Sequence, residues 1–441
     1  MIRLFKIISI PHSLHIDDIS CFFSPPIETQ PRTILNFSTV STRYQYEIPT
    51  GFVANGSRLV AQVDCGFELK NNPRIEEFIE FAYQKGFEAK LYPSNASLKE
   101  RVKESLRKSY FVHLGVNTLP DSTDQKKLEE VVSWILLLFA FDNVIDNSAG
   151  KLPHNKEQLQ KYVETLQNTL KGRGPDIEVI SRELTDALGE IEGELALKPI
   201  RMAQLMYTPE RPFERSFLSE TKKYLESSLT EMSAESEMTI DKYFRTRESS
   251  GAIDTVVRLA EGTVPGYLSE DFNFQQMNKN IVIYIWGVND IGGAKEFNSH
   301  EPSFLKIQTD IQFKNLKEST TGLSDDQLLS LAFNNAFRDL ILLVNKAHKE
   351  YLTFKQKVLN SIDNGSIFTD TTSEDEFRLL SGEARTRYIS DTKEDFLYRC
   401  EIRENLAAAG NECTRVSTRY YDPNNLEKNI RIPEQLRGLY A

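Results

Sequence analysis

Two carboxylates four residues apart, Asp142 and Asp146, close an apolar run that reads Val131-Val132-Ser133-Trp134-Ile135-Leu136-Leu137-Leu138-Phe139-Ala140-Phe141. On a helix that spacing stacks them a turn apart on one face. At the end of a core helix such a pair can project inward and share hard divalent cations such as Mg²⁺. Two ordinary acids at a solvated helix end would show the same spacing, so the pair alone does not decide.

Three further groups suit the same chemistry. Val288-Asn289-Asp290-Ile291-Gly292-Gly293-Ala294-Lys295-Glu296 follows a second apolar run, Ile281-Val282-Ile283-Tyr284-Ile285-Trp286. Asn289 and Glu296 lie nearly two helical turns apart, so both oxygens face the same way, as two metal ligands on one helix must. Asp290 is a substitute for Asn289, and Lys295 supplies a cation for a phosphate. A helix end unwinding at Gly292-Gly293, with its charges in water, is the competing reading. Arg247, ahead of Ser250-Gly251, offers a guanidinium fork suited to phosphate oxygens just before a helix break. A surface arginine beside Glu248 is the alternative, and fits Arg245 better. Arg419 and Tyr420 end the last long helix before Pro423, and both can donate to phosphate. An arginine in a last turn also complements the helix dipole.

Composition narrows the field. The 441 residues are 40% hydrophobic and 10% aromatic, enough for a substantial core, which excludes global disorder. A formal net charge of −11 argues against nucleic acid as a partner while leaving room for a locally basic pocket and an anionic substrate. Cys21, Cys65, Cys400 and Cys413 have no CxxC spacing, so neither a zinc site nor a disulfide framework is indicated. Reduced thiols point to a cytoplasmic protein. Lys6 and Pro11 interrupt the apolar start before it reaches the length of a secretory signal, and no run is long enough for a transmembrane segment.

The elements that must hold these residues are helical. Residues 1–70 carry Pro25-Pro26, Pro31, Pro49 and the alternating Tyr44-Gln45-Tyr46-Glu47, and read as an irregular arm with a short strand pair. From Asn72-Pro73 the period changes: Ile75, Phe78, Ile79, Phe81 and Ala82 recur at helical spacing, with Gly86 as a stop. Further helices are expected over 97–113, 124–141, 155–171, 176–196, 210–233, 239–262, 272–297, 324–362 and 375–420. The whole is an all-α bundle over 71–425 with a tail at 426–441, its chemistry between facing helices.

Together the four groups resemble the class I terpene synthases of the microbial type. That family pairs a DDxxD-type motif on one helix with an NDxxSxxKE-type motif on another, and adds an upstream diphosphate-sensing arginine and a terminal Arg-Tyr pair. Here they fall in that order at Asp142–Asp146, Arg247, Asn289–Glu296 and Arg419-Tyr420, over roughly residues 70–422, and Phe81-Ala82-Tyr83-Gln84-Lys85-Gly86-Phe87 is similar to the family's opening helix. The resemblance implies a class I terpenoid synthase helical bundle around a central aromatic-lined cavity. It implies three Mg²⁺ ions held by Asp142, Asp146, Asn289 and Glu296. Arg247, Lys295, Arg419 and Tyr420 would bind the diphosphate. The substrate would be a linear isoprenyl diphosphate, geranylgeranyl (C20) or farnesyl (C15), ionised to a carbocation that cyclises away from water. Leu138, Phe139, Ile285 and Trp286, a turn before the ligands, are candidates for the cavity floor or for plain core.

The chain departs from the family pattern twice. Asn143 stands where the motif has its second aspartate. Counting back from Glu296, the asparagine position falls on Val288 and the serine position on Gly292; counting forward from Asn289, the motif is one residue short and its serine becomes Gly293. A local distortion at the glycine pair would restore register. A chain-elongating prenyltransferase stays an alternative, although it calls for a second DDxxD; Asp325-Asp326 lacks the following acid and reads as a helix N-terminus. A degenerate prenyl-binding or partner-binding helical protein and an unrelated helical scaffold are the other readings. Whether the chain is a monomer or a homodimer is open.

Overall fold

The computed structural model describes residues 32–35, 43–48, 58–64, 67–92, 99–145, 150–210, 212–233, 238–262, 264–292, 303–367 and 374–416. Three strands, β1 (Arg32–Leu35), β2 (Arg43–Ile48) and β3 (Arg58–Asp64), form one sheet in the order β1-β3-β2. β1 runs parallel to β3 with Arg32 opposite Arg58, and β2 runs antiparallel to it with Ile48 opposite Leu59. The arm therefore holds a mixed sheet in place of the expected strand pair. Pairing of β1 with β3 skips β2, and no local pattern encodes such a non-local contact. β3 packs on the bundle, with Val63 buried, and just beyond it Phe67 drives its ring edge-on toward Tyr284, His348 and Tyr351 at 6.0, 5.0 and 5.5 Å.

The bundle begins with α1 (Ile75–Glu88), α2 (Lys99–Ser109) and α3 (Phe111–Asn117). The single helix expected over 97–113 is broken because Tyr110 takes a left-handed φ of 65°. α4 (Gln125–Ile145) starts where the Asp124 carboxylate accepts the Lys127 N–H at 3.1 Å. It is buried on nearly every side, as a helix apolar all round must be. α5 (Lys156–Leu170), α6 (Ile177–Leu188) and α7 (Glu190–Met206) follow. Gly189, at φ 92°, separates α6 from α7, and α7 runs past the expected end at 196 through Pro199.

α8 (Arg215–Ser233), α9 (Ile240–Ser250) and α10 (Ile253–Glu261) form a layer beside α4. The helix expected over 239–262 breaks after Ser250-Gly251, where Ala252 adopts φ 55°. A short turn, α11 (Gly266–Ser269), leads to α12 (Phe272–Gly292), capped by the Asp271 carboxylate on the Phe274 N–H at 2.8 Å. α13 (Phe304–Ser319) was not among the expected helices; its one signal is Ser303 after Pro302, whose hydroxyl caps the Lys306 N–H at 3.2 Å. α14 (Asp325–Asp363) opens with a capping box between Ser324 and Gln327, so Asp325-Asp326 are first-turn acids. α15 (Glu374–Leu379) and α16 (Gly382–Val416) complete the described helices.

α12 lies in a trough formed by α14 and α16. Asn411 on α16 donates to the Tyr284 hydroxyl on α12 at 2.8 Å, which fixes their relative register. A buried charge group supports the opposite end: Glu261 accepts from Arg258 at 2.7 Å and from Arg403 at 2.7 Å, with Arg399 at 3.6 Å. Such a group is tolerated in the interior because the carboxylate is paired and hydrogen-bonded on several sides. Cys400 and Cys413 are buried free thiols. Among the described residues no helix is long and apolar enough to cross a membrane.

Candidate diphosphate and metal site

Asp142 lies in the last turn of α4, half-buried. The hydroxyl of Tyr224, from α8, donates to its Oδ1 at 3.0 Å. Tyr224 is itself buried, its ring edge-on to Phe141 at 5.8 Å, so the donor is held in place by packing before it meets the carboxylate. Asn289 occupies the corresponding last turn of α12 and is also half-buried.

Asp290, the next residue, is 5% exposed and heavily engaged. Its Oδ2 accepts the Tyr243 hydroxyl at 2.5 Å and the backbone N–H of Phe304 at 3.1 Å. Its Oδ1 lies 3.8 Å from Nη2 of Arg247. Tyr243 and Arg247 sit a turn apart on α9, so one face of that helix delivers both groups to one carboxylate. A metal ion at Asp290 would have to displace these partners.

The glycine at 292 has a close neighbour. α12 stays helical through Gly292, and a Cβ at that position would come 2.2 Å from Thr414 Cγ2 of α16. A serine there, in the register counted back from Glu296, would require that methyl group to move aside. Distortion of the helix, the alternative expected from the sequence, does not occur up to this residue.

Of the residues expected at a cavity floor, Trp286 and Leu138 are core. Trp286 is 1% exposed and packs edge-on to Tyr243 at 5.7 Å. Phe139 and Ile285 are half-buried, and Phe139 stacks on Phe111 of α3. Asp146, Lys295, Glu296, Arg419 and Tyr420 lie outside the described residues. The two tyrosines carry no motif. Tyr243 could have been found from its spacing to Arg247, whereas nothing near Tyr224 marks it.

These pieces are joined by one comparison. Residues 133–301 match the family model described as terpene synthase family 2, C-terminal metal binding. The match spans from α4 to just before α13 and so takes in Asp142, Asp146, Arg247, Asn289, Lys295 and Glu296. Residues 133–301 thus carry a terpene synthase metal-binding domain. The fold agrees. A solved hedycaryol synthase with bound HEPES superposes with a TM-score of 0.50 at 18% identity, over 78% of this chain and 95% of that one. The SVS_A2 protein from ancestral sequence reconstruction gives 0.51 at 15% identity, over 80% and 89%. No curated protein matches the sequence.

The matched domain is described as a metal-binding one, and the described donors fit that assignment chemically. Asp142 and Asn289 offer carboxylate and amide oxygens, the hard ligands divalent magnesium takes. Among the described residues no three His, Cys, Asp or Glu side chains converge on one metal position. The remaining expected carboxylates, Asp146 and Glu296, are outside that set.

Proposed function

We propose that this terpene synthase binds a linear isoprenyl diphosphate, C20 or C15, between the ends of α4, α9 and α12, releases diphosphate and lets the carbocation cyclise. The observation that carries the proposal is the placement of Arg247 against Asp290, adjacent to Asn289 on α12. A phosphate-binding guanidinium and a hard oxygen donor are thereby brought to one helix end inside a family domain that binds metal. Asp142 and Asn289, with Asp146 and Glu296, would hold Mg²⁺, three ions by family resemblance, and the bound metal would stabilise negative charge on the departing diphosphate. Arg247 orients the diphosphate, in company with Lys295, Arg419 and Tyr420. Phe139 and Ile285, half-buried a turn below the ligands, offer apolar surface that keeps water from the cation. A cytoplasmic setting, with either a monomer or a homodimer at work, belongs to the same reading.

The test is incubation of purified protein with geranyl, farnesyl and geranylgeranyl diphosphates, with Mg²⁺ or with EDTA, and gas chromatography–mass spectrometry of the extract. A Mg²⁺-dependent cyclic hydrocarbon or alcohol from one substrate is the expected result and fixes the chain length. Longer prenyl diphosphates, made only when isopentenyl diphosphate is added, would replace the proposal with a prenyltransferase. Folded protein that turns over none of them would remove it.

A further inference from the structure

Asp290 is heavily engaged, and metal binding does not account for its geometry. Three elements meet on it. The Tyr243 hydroxyl at 2.5 Å and Arg247 at 3.8 Å come from α9, and the Phe304 N–H at 3.1 Å comes from the first turn of α13. The carboxylate itself is carried by α12. Both hydrogen bonds fall on Oδ2, which fixes the plane of the carboxylate and turns Oδ1 toward the guanidinium. The Phe304 contact also joins the two flanks of segment 293–302, the stretch that contains Lys295 and Glu296.

The distance to Arg247 is informative. At 3.8 Å the pair is an ion pair rather than a hydrogen bond, so Asp290 restrains the guanidinium electrostatically. Arg247 is 20% exposed at its side chain and Asp290 is 4% exposed, so the pair is only weakly screened by water. Arginine has many rotamers, and holding one of them before an anion arrives lowers the ordering cost of recognition.

We propose that Asp290 is a positioning residue for Arg247. Fixed by Tyr243 and Phe304, its carboxylate aims the guanidinium at the diphosphate of the substrate, and it is not a metal ligand. The inference rests on the proposed function for the identity of the anion. It assigns the two adjacent residues of α12 to different tasks: Asn289 to metal, Asp290 to the arginine of another helix.

A double-mutant cycle on the full-length protein tests this. Wild type, Asp290→Asn, Arg247→Ala and the double variant are titrated with inorganic diphosphate at saturating Mg²⁺ by calorimetry. Asp290→Asn alone is expected to weaken diphosphate binding roughly ten- to hundredfold, the scale of a lost charge-assisted contact. In the Arg247→Ala background the same substitution should change binding less than about threefold, because a residue acting through Arg247 has nothing left to position. Equal losses in both backgrounds would overturn the proposal and favour a metal ligand or a merely structural carboxylate. If Asp290→Asn does not fold, Tyr243→Phe is read in the same cycle and by the same criterion, since it frees the carboxylate without removing its charge. Mn²⁺ binding without diphosphate, followed by electron paramagnetic resonance, gives a second readout: Asp290→Asn should leave it unchanged and Asn289→Ala should weaken it. Wild-type protein that neither binds Mg²⁺–diphosphate nor turns over a prenyl diphosphate would remove the proposed function itself. Wild type that does both, with an additive cycle, would remove only the role of Asp290.

Discussion

Replacing Tyr224 with phenylalanine isolates a single hydroxyl at the site. The ring is buried and edge-on to Phe141 at 5.8 Å, and phenylalanine keeps that packing. What is lost is the 3.0 Å donor to Asp142 Oδ1. A hydrogen bond to a charged group contributes about 1.5–3 kcal/mol when buried. Asp142 is half-buried, so water recovers part of this, and a figure near the bottom of the range, roughly tenfold in an equilibrium constant, is expected. Partners that orient a metal ligand typically change metal affinity about 10–100-fold when removed. Tyr224→Phe should therefore raise the Mg²⁺ concentration at half-maximal turnover about tenfold while lowering folding stability by less than about 1 kcal/mol. Product formation from the preferred prenyl diphosphate, measured across a Mg²⁺ series beside a urea melt, gives both numbers. An unchanged half-saturation in a variant of normal stability would refute the idea that the phenol orients Asp142.

Glu261→Gln should destabilise the protein by about 3 kcal/mol in urea denaturation, because buried Arg403 would lose its counterion while Arg399 kept only Asp395. Phe67→Ala should cost a similar amount, about 3 kcal/mol, since the ring is 5% exposed and wedged among three others; limited proteolysis should then cut the chain ahead of α1. Burial first, and the charge of Glu220 second, push Asp254 up to about 6. The folded protein therefore holds that proton more tightly than the unfolded chain, and this favours folding below about pH 4 and is lost as pH rises through 6. Asp254→Asn should accordingly make little difference in acid and raise stability by roughly 1–2 kcal/mol above pH 7, allowing for its partial contact with water, as denaturation curves at several pH values would show.

The helices that carry chemistry were legible because their cause is local. The runs before Asp142 and Asn289 are apolar enough to demand interior helices, whereas the break at Gly189, inside the helix expected over 176–196, was missed although a glycine stands there. What escaped the sequence depends on contacts between distant segments. Tyr110 and Ala252 enter left-handed backbone with no residue type that favours it, so packing must impose it. Nothing adjacent to β1 says that it pairs with β3. The candidate site shows the same division: Asp142, Arg247 and Asn289 are picked out as candidates by spacing, but Tyr224 reaches Asp142 from a helix with no motif. The work of Asp290 is visible only once α9 and α13 are seen to meet on it.

The meeting of Gly292 with the methyl group of Thr414 constrains the history open to this chain. A side chain at 292 and a branched one at 414 compete for one volume, so the two positions cannot vary independently. An ancestor with serine on α12 would have needed a smaller residue on α16 first, or would have lost the serine before threonine could enter. With threonine in place, a single return to serine would have to turn that side chain out of its present position. Relatives should therefore sort into two groups, bulky at one position and small at the other, with sequences bulky at both absent. In such a lineage the serine position records the shape of a neighbouring helix as much as any demand of the reaction.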